Sequence, residues 1–507
     1  MSFETEPLLT LDVECPDSSG GPKDIYEVLS PIAPMLDNLD KHPHPAHDTL
    51  LQHVIVEHLE WDIDITTDYS GAGFAEYSMN AINMSLETRG ICCGRLRVLR
   101  CSDINKTCQK CLLAADESNC CKPEDELPCV LCDALERMPP EYAKDIDKLI
   151  ERATDGYGKL LASGTEPSTA RDCIQELMAH ETRNLIQQHK DSMNINSKAW
   201  CLRHRRFCRV FPRRDPRNLR GNIAGVECQK FSGLGGKTGF INPAFKVLAQ
   251  YFLERAVADE HWVIMECVTG FPAHFLVMLA VIFIFANLRI TPTIFGIPTS
   301  RKRLYMHGVG ARLSWETTMD MPKFRAIFGR PMITDGLVFF REPEARVTRM
   351  RESFVKSMHL PATLNGETWP IESVMSRGPR ERLVSFKKDI LKRRKRGATS
   401  KNVNFNLSQH PKRSTIGRSI PCLLKNSLVY NSQRRRPLCA EGHLEVQGMP
   451  FWDDVSGVPA CPFKTLVESR QISNTALKKL TGNSMHVASV AASVLSLLAF
   501  TKRVGDP

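Results

Sequence analysis

The sequence predicts an α/β fold: a doubly wound nucleoside-binding domain that carries a smaller basic unit. Two observations predict the first part. Short apolar strands at 63–67, 96–101 and 129–132 alternate with helical stretches. Each strand runs into glycine or aspartate, the residues that hold a nucleoside at the carboxyl edge of such a sheet. A third predicts the basic unit: residues 377–436 hold eighteen Lys/Arg against two acids, Glu381 and Asp389.

The bulk properties set the frame. A chain of 507 residues has core enough for two or three domains. Its net charge is +10, of which the 377–436 block carries about +16, leaving about −6 on the rest. A basic module on a mildly acidic body suits a polyanion, most simply nucleic acid; a solvated basic loop is the plainer account. Eighteen cysteines without an apolar N-terminal run suit reduced thiols and an intracellular setting. The apolar stretch 275–288 is short for a membrane span, so no membrane is expected. Residues 1–60, rich in Pro, Asp and His, are expected to form a tail, with His42, His44 and His47 exposed.

Taken in order, strand 63–67 leads into Tyr69-Ser70-Gly71-Ala72-Gly73 and a helix over 75–85. Strand, Gly-x-Gly and helix together place a cofactor at a helix N-terminus. Asp103 follows the second strand, where an acid can hold ribose hydroxyls, and Asp133 follows the third, where one can accept from an adenine amino group. Residues 137–200 are expected to be a helical insertion. Next comes 225–240, with Cys228 before Gly233, Gly235, Gly236 and Gly239. A thiol on a mobile, close-approaching loop is a candidate nucleophile. A helix over 245–257 precedes a buried strand, 261–265, that ends at Glu266. Arg301 and Arg303 alternate on an extended stretch and so point the same way. Gln447-Gly448-Met449-Pro450 is a turn, and Gly482-Asn483 opens an apolar helix through Phe500.

The cysteines pose a rival. Cys108-x-x-Cys111 and Cys129-x-x-Cys132 have zinc-ribbon spacing. But the second pair lies on a strand, where residues three apart point to opposite faces, and the first lies in a helix. Cys201-x2-His204-x3-Cys208 offers only three ligands. No metal is expected.

The ordered set of motifs resembles the cytosine-5 DNA methyltransferase family over residues 63–500. Tyr69–Gly73 is similar to that family's cofactor loop, and Asp103 and Asp133 to its ribose and adenine acids. Glu227-Cys228-Gln229 is similar to its Pro-Cys-Gln nucleophile loop, Glu266-Cys267-Val268 to Glu-Asn-Val, and Thr299-Ser300-Arg301-Lys302-Arg303 to Gln-x-Arg-x-Arg. Gln447–Pro450 and Gly482-Asn483 are similar to its last two motifs.

The resemblance implies a Rossmann-like S-adenosylmethionine-dependent methyltransferase domain over 61–309. A basic target-recognition region over 310–465 follows, then a C-terminal return over 466–507. It implies S-adenosyl-L-methionine held by Tyr69, Gly71, Gly73, Asp103, Asp133 and Asn483. It also implies Cys228, Glu266, Arg301 and Arg303 as catalytic groups, double-stranded DNA with a flipped cytosine as partner, and a nuclear location. A thiolate adding to carbon 6 makes carbon 5 nucleophilic, and an acid at ring nitrogen 3 stabilises the adduct. The departures are Glu227 for proline, Cys267 for asparagine and Thr299 for glutamine. A carboxylate beside the sulfur disfavours the thiolate. The same chemistry on RNA, and an inactive relative that binds nucleic acid, are the alternatives.

Overall fold

The computed structural model describes residues 20–504 apart from 118–126, 133, 194–195, 214, 227–238, 259, 273–275, 277, 279–281, 311, 318, 361–369 and 396–401. Three short helices open it: α1 (Ile25–Leu29), α2 (Ile32–Lys41) and α3 (Leu50–His53). Then come β1 (Ile63–Asp68), α4 (Phe74–Thr88), β2 (Leu96–Ser102), α5 (Lys106–Glu117) and β3 (Cys129–Leu131). A helical pair, α6 (Pro140–Ala162) and α7 (Pro167–His189), leads to the hairpin β4 (Lys198–Cys201) and β5 (Arg206–Arg209). The sheet resumes with β6 (Leu219–Gly225), α8 (Phe245–Val257), β7 (Trp262–Cys267), β8 (Ile284–Ile290) and β9 (Arg303–Val309).

These strands form one nine-stranded sheet in the order β5-β4-β3-β2-β1-β6-β7-β9-β8. β3, β2, β1, β6 and β7 run parallel, and β9 runs antiparallel between β7 and β8. This is the Rossmann-like α/β sheet of the methyltransferase type, with the β4–β5 hairpin added at one edge. β1, at its centre, is buried along its whole length. Its polar residues are therefore matched inside the protein. Asp68 accepts from Arg100 (2.8 Å), the Ser102 hydroxyl (2.8 Å) and the Asn222 amide (2.9 Å), with Arg255 at 3.4 Å and Arg137 at 3.7 Å. Arg137 also pairs with Glu254 at 2.9 Å and Arg255 with Glu260 at 2.6 Å. The three acids and three arginines balance in charge.

Beyond the sheet, β10 (Leu313–Trp315) and α9 (Met321–Phe328) pack on the main core. A second unit follows: α10 (Glu344–Ser357), α11 (Arg377–Lys395) and the small sheet β11 (Asn404–Asn406), β12 (Val429–Asn431) and β13 (Arg436–Pro437). Its own core includes Leu383, Phe386 and Ile390 of α11, spaced to share one helix face, with Phe386 stacked on Phe405 at 4.5 Å. The chain returns through α12 (Gly442–Val446), α13 (Lys464–Glu468), α14 (Asn474–Asn483), α15 (Val487–Ala499) and β14 (Thr501–Arg503). α15 packs along α4, and β14 pairs with β10. The 474–499 segment is apolar enough to span a membrane, but 94% of its apolar 18-residue window is buried within the protein.

Three expectations are corrected. Residues 25–60 are not a tail: Ile32, Met35, Leu36 and Leu39 form an apolar helical stripe seated in the main core. The basic unit is narrower than 310–465, because Phe324, Phe328, Phe339, Leu444 and Phe451 belong to the main core. Gly482 and Asn483 end α14 rather than open the apolar helix, which starts at Val487 after the Ser484–His486 break.

His58, His307, His443 and His486 are among the histidines buried to 1% exposure or less. Burial holds His58, His307 and His486 down at about 3 and His443 well below its ordinary value. They stay neutral in the folded chain but take protons when unfolded below about pH 6.5. Stability contributed by these groups is therefore present above pH 6.5 and lost as pH falls toward 3. Urea unfolding at pH 7, 6 and 5 should show a steepening loss, and at pH 5 these four groups should take up about four protons on unfolding, with His53, also lowered by burial, adding to them. A flat stability between pH 7 and 5 would contradict neutral burial.

Candidate active site

The strand order reverses direction between β1 and β6, so the carboxyl ends of these strands open a crevice. On one side lies the glycine turn. Tyr69, Gly71 and Gly73 take φ of 53°, 61° and 86°, and α4 starts at Phe74. The positive φ explains both glycines; a methyl at Gly73 would also press to 3.3 Å from Leu112. A methyl at Gly71 would meet nothing within 4 Å, so the turn presents open space there. The Gly71 N–H donates to Asp103 Oδ2 at 2.9 Å, and the Asn105 N–H to Asp103 Oδ1 at 2.7 Å. Asp103 is thus locked to the turn and half-buried. The Gly71–Asp103 cradle fits the adenosyl part of the expected cofactor.

Other cofactor expectations fare differently. Tyr69 is corrected: its hydroxyl donates to the Val247 carbonyl at 2.7 Å and its ring lies against Tyr251, so the side chain braces α8. Asp133 lies outside the described residues. Asn483 is exposed at the end of α14, two residues before Met485, whose methyl would sit 3.5 Å from a Cβ at Gly225. The α14 terminus therefore approaches the crevice from the β6 side.

On that second side, Gly225 pairs in register with Glu266 of β7. Cys228 and Glu227 lie outside the described residues, three and two positions past Gly225. Glu266 is buried and its Oε1 is 3.0 Å from Arg303 Nε. Arg301 is corrected: it is a strut whose guanidinium donates to the carbonyls of Leu423 (3.3 Å), Gly482 (3.4 Å) and Ser484. It ties the Ile420–Leu423 stretch, held in the main core, and the α14 terminus to the crevice. Burial holds Arg301 below its ordinary pKa, and the Arg303 charge adds to this. Thr299 donates to the Val446 carbonyl (3.4 Å) and Gln447 to the Thr481 carbonyl (2.6 Å). The 447–450 turn, with Gly448 at φ 90°, is thereby anchored behind the arginines.

Sequence reading missed Cys422. Its sulfur lies 3.9 Å from an Arg301 nitrogen and 3.8 Å from an Arg303 nitrogen. Burial pushes this thiol up, but the Arg303 and Arg301 charges outweigh it and hold the thiol below its usual value. Only its Pro421 neighbour, echoing a Pro-Cys dipeptide, could have flagged it. The two Cys-x-x-Cys pairs do not act as one set. Cys108 and Cys111 are buried in α5, and Cys132 donates to Glu136 at 3.0 Å. Cys129 lies instead with Cys201, His204 and Cys208. His44, near His47 and His53, is paired with Glu316 at 2.9 Å.

No family model and no curated protein matches the chain. Among solved structures it is similar to a variant of Spodoptera frugiperda DNMT2 (14% identity, TM-score 0.38, 86% of this chain and 99% of that one). It is also similar to the Entamoeba histolytica methyltransferase EhMeth (11%, TM-score 0.39, 86% and 98%). The S. pombe Dnmt2 methyltransferase is comparable (13%, TM-score 0.37, 86% and 98%). At these scores the likeness adds nothing to the strand order, on which the fold rests.

The thiol environments give a measurable ranking. Cys422, flanked by two guanidinium groups, should react with iodoacetamide at pH 7 before Cys461, which burial pushes up to about 12, and before Cys439, raised by burial and by Glu342. Arg303→Met should slow Cys422 labelling several-fold, read by peptide mass spectrometry. Equal labelling of all three thiols would reject the assigned charge effect.

Proposed function

We propose that the protein transfers a methyl group from S-adenosyl-L-methionine to carbon 5 of cytosine in nucleic acid. The carrying observation is the Gly225–Glu266 register. It sets the root of the Cys228 loop beside the Glu266–Arg303 pair, across the crevice from the Gly71–Asp103 cradle.

In this reading Cys228 adds to carbon 6, forming the carbon–sulfur bond while ring electrons shift toward nitrogen 3. The Glu266 carboxyl hydrogen-bonds at that nitrogen as it takes up a proton, and Arg303 fixes the carboxyl and reaches the ring oxygen. The bound cofactor supplies an electrophilic methyl to carbon 5. Loss of the carbon 5 proton to a base then expels the Cys228 thiolate. Gly71 and Asp103 orient the adenosyl group, and Arg301 acts as a positioning residue. A base in a duplex must be flipped out to reach the crevice. Double-stranded DNA is the partner proposed first, with RNA as the alternative polymer. The exposed 392–395 basic run fits phosphate contact and also nuclear import. A second reading, an inactive relative that still binds nucleic acid, is favoured by Glu227 beside the sulfur.

DNA and RNA carrying 5-fluorocytosine test the reaction. Fluorine cannot leave as a cation, so the adduct should persist with cofactor present. It should vanish in Cys228→Ser, weaken in Glu266→Gln, survive Cys422→Ser, and form faster in Glu227→Pro. A trap kept in Cys228→Ser and lost in Cys422→Ser would move the nucleophile. Failure of both polymers with wild type and Glu227→Pro would leave the inactive reading. Independently, Asp103→Ala should weaken calorimetric binding of S-adenosylmethionine by about tenfold or more, the loss of a hydrogen bond to a charged group.

The basic unit has its own test. Changing Lys392, Arg393, Arg394 and Lys395 to Gln spares the Leu383–Phe386–Ile390 face. Polymer affinity should fall, and its log–log salt slope should shrink by about 0.9 for each duplex phosphate that is no longer neutralised. An unchanged slope would place the polymer on another surface.

A further inference from the structure

The β4–β5 hairpin is attached to the sheet by little backbone pairing. β4 and β5 share four register pairs, but β3 and β4 share one, Leu131 with Cys201. At that junction three sulfurs surround one nitrogen. His204 Nδ1 is 3.5 Å from Cys129 Sγ, 3.4 Å from Cys201 Sγ and 3.4 Å from Cys208 Sγ. All four atoms lie within 4.8 Å of one another. Hydrogen bonding does not account for this. A neutral imidazole nitrogen has one lone pair and accepts from one thiol. All three cysteines are free thiols.

Tetrahedral coordination does account for it. With metal–sulfur at about 2.3 Å and metal–nitrogen at about 2.0–2.1 Å, tetrahedral angles put sulfur and nitrogen about 3.6 Å apart. The observed separations match that edge. We infer that Cys129, Cys201, His204 through Nδ1, and Cys208 form a structural zinc site that pins the β4–β5 hairpin to β3. Three thiolates and an imidazole are a closed donor set that suits zinc, with no position left for a substrate. The hairpin turn is braced beside it. Arg203 donates to the Pro128 carbonyl (2.9 Å), next to Cys129, and to the Leu112 carbonyl (2.9 Å).

This inference departs from the sequence-based expectation of no metal. Cys201-x2-His204-x3-Cys208 supplies three ligands, and the fourth lies 75 residues before His204, across the α6–α7 insertion. Strand alternation rightly separated Cys129 from Cys132, but it could not reveal Cys129's actual neighbours.

The test uses full-length protein purified without chelator from zinc-supplemented cells. Elemental analysis should give one zinc per chain, and X-ray absorption on the wild type should show three sulfur and one nitrogen neighbours. Cobalt exchange should give thiolate charge-transfer bands with a tetrahedral visible spectrum. The Cys201→Ser/Cys208→Ser double variant should lose the metal, and Cys108→Ser/Cys111→Ser should keep it. Zinc-free wild type whose reduced thiols take up no cobalt would overturn the site. So would metal retained in the first variant and lost in the second, or a Cys201–Cys208 disulfide found by non-reducing peptide mapping of freshly purified protein.

Discussion

Everything near the crevice depends on Asp68. It ends the central strand, buried on both faces, and accepts from β2 through Arg100 and Ser102 and from β6 through Asn222. Arg255 and Arg137 carry the charge outward to Glu260 and Glu254. Six ionic side chains taken out of water are costly, and the set is tolerable because it is neutral and cross-bonded. What it secures is position. The residue after Asp68 must enter the left-handed region at once, and the strand ends on both sides of that turn are held by the same carboxylate. Breaking one partner would leave a buried charge uncompensated, which is why the network joins strands and helix as one unit.

The strands around this network are legible in the sequence because parallel, doubly buried strands are short apolar runs with glycine or acid at their ends. The helix over 245–257 is legible to its bounds, since its apolar spacing is regular. The N-terminal helices are not, because they are short and flank the Pro- and His-rich 42–47 stretch, although the Ile32–Met35–Leu36–Leu39 stripe is plain once a core is known. At the site, motif alone places Glu266 and Arg303, and the two meet in space. The strut role of Arg301 is invisible in the sequence, since its carbonyl partners come from residues more than a hundred positions away. Cys422 escapes for the same reason: its chemistry is set by two arginines on another element.

The 420–423 segment and the crevice are one mechanical assembly. Ile420 exchanges backbone hydrogen bonds with Pro298 and Ser300, just ahead of the arginine pair. Arg301 then grips Leu423. Any shift of the 420–423 segment therefore pulls on the stretch that carries Arg303 and orients Glu266. The 420–423 segment and the geometry at the crevice are thus joined through a few peptide groups.

The interleaving of the two ends of the chain has a consequence for biosynthesis. β14 and α15 complete a core begun by α2, α3, β1 and α4, and the Thr501 carbonyl accepts from His53 and His58. His53 and Thr501 are 448 positions apart. At a ribosomal rate of about 5–20 residues per second, the apolar faces of the first helices wait roughly 20–90 s for their partner. Over that interval the part of their surface that α15 and β14 cover stays exposed, while α3, α4 and α9 are already there to cover the rest. The order of translation thus leaves the last layer of this core to be added only when the chain is nearly complete to Arg503.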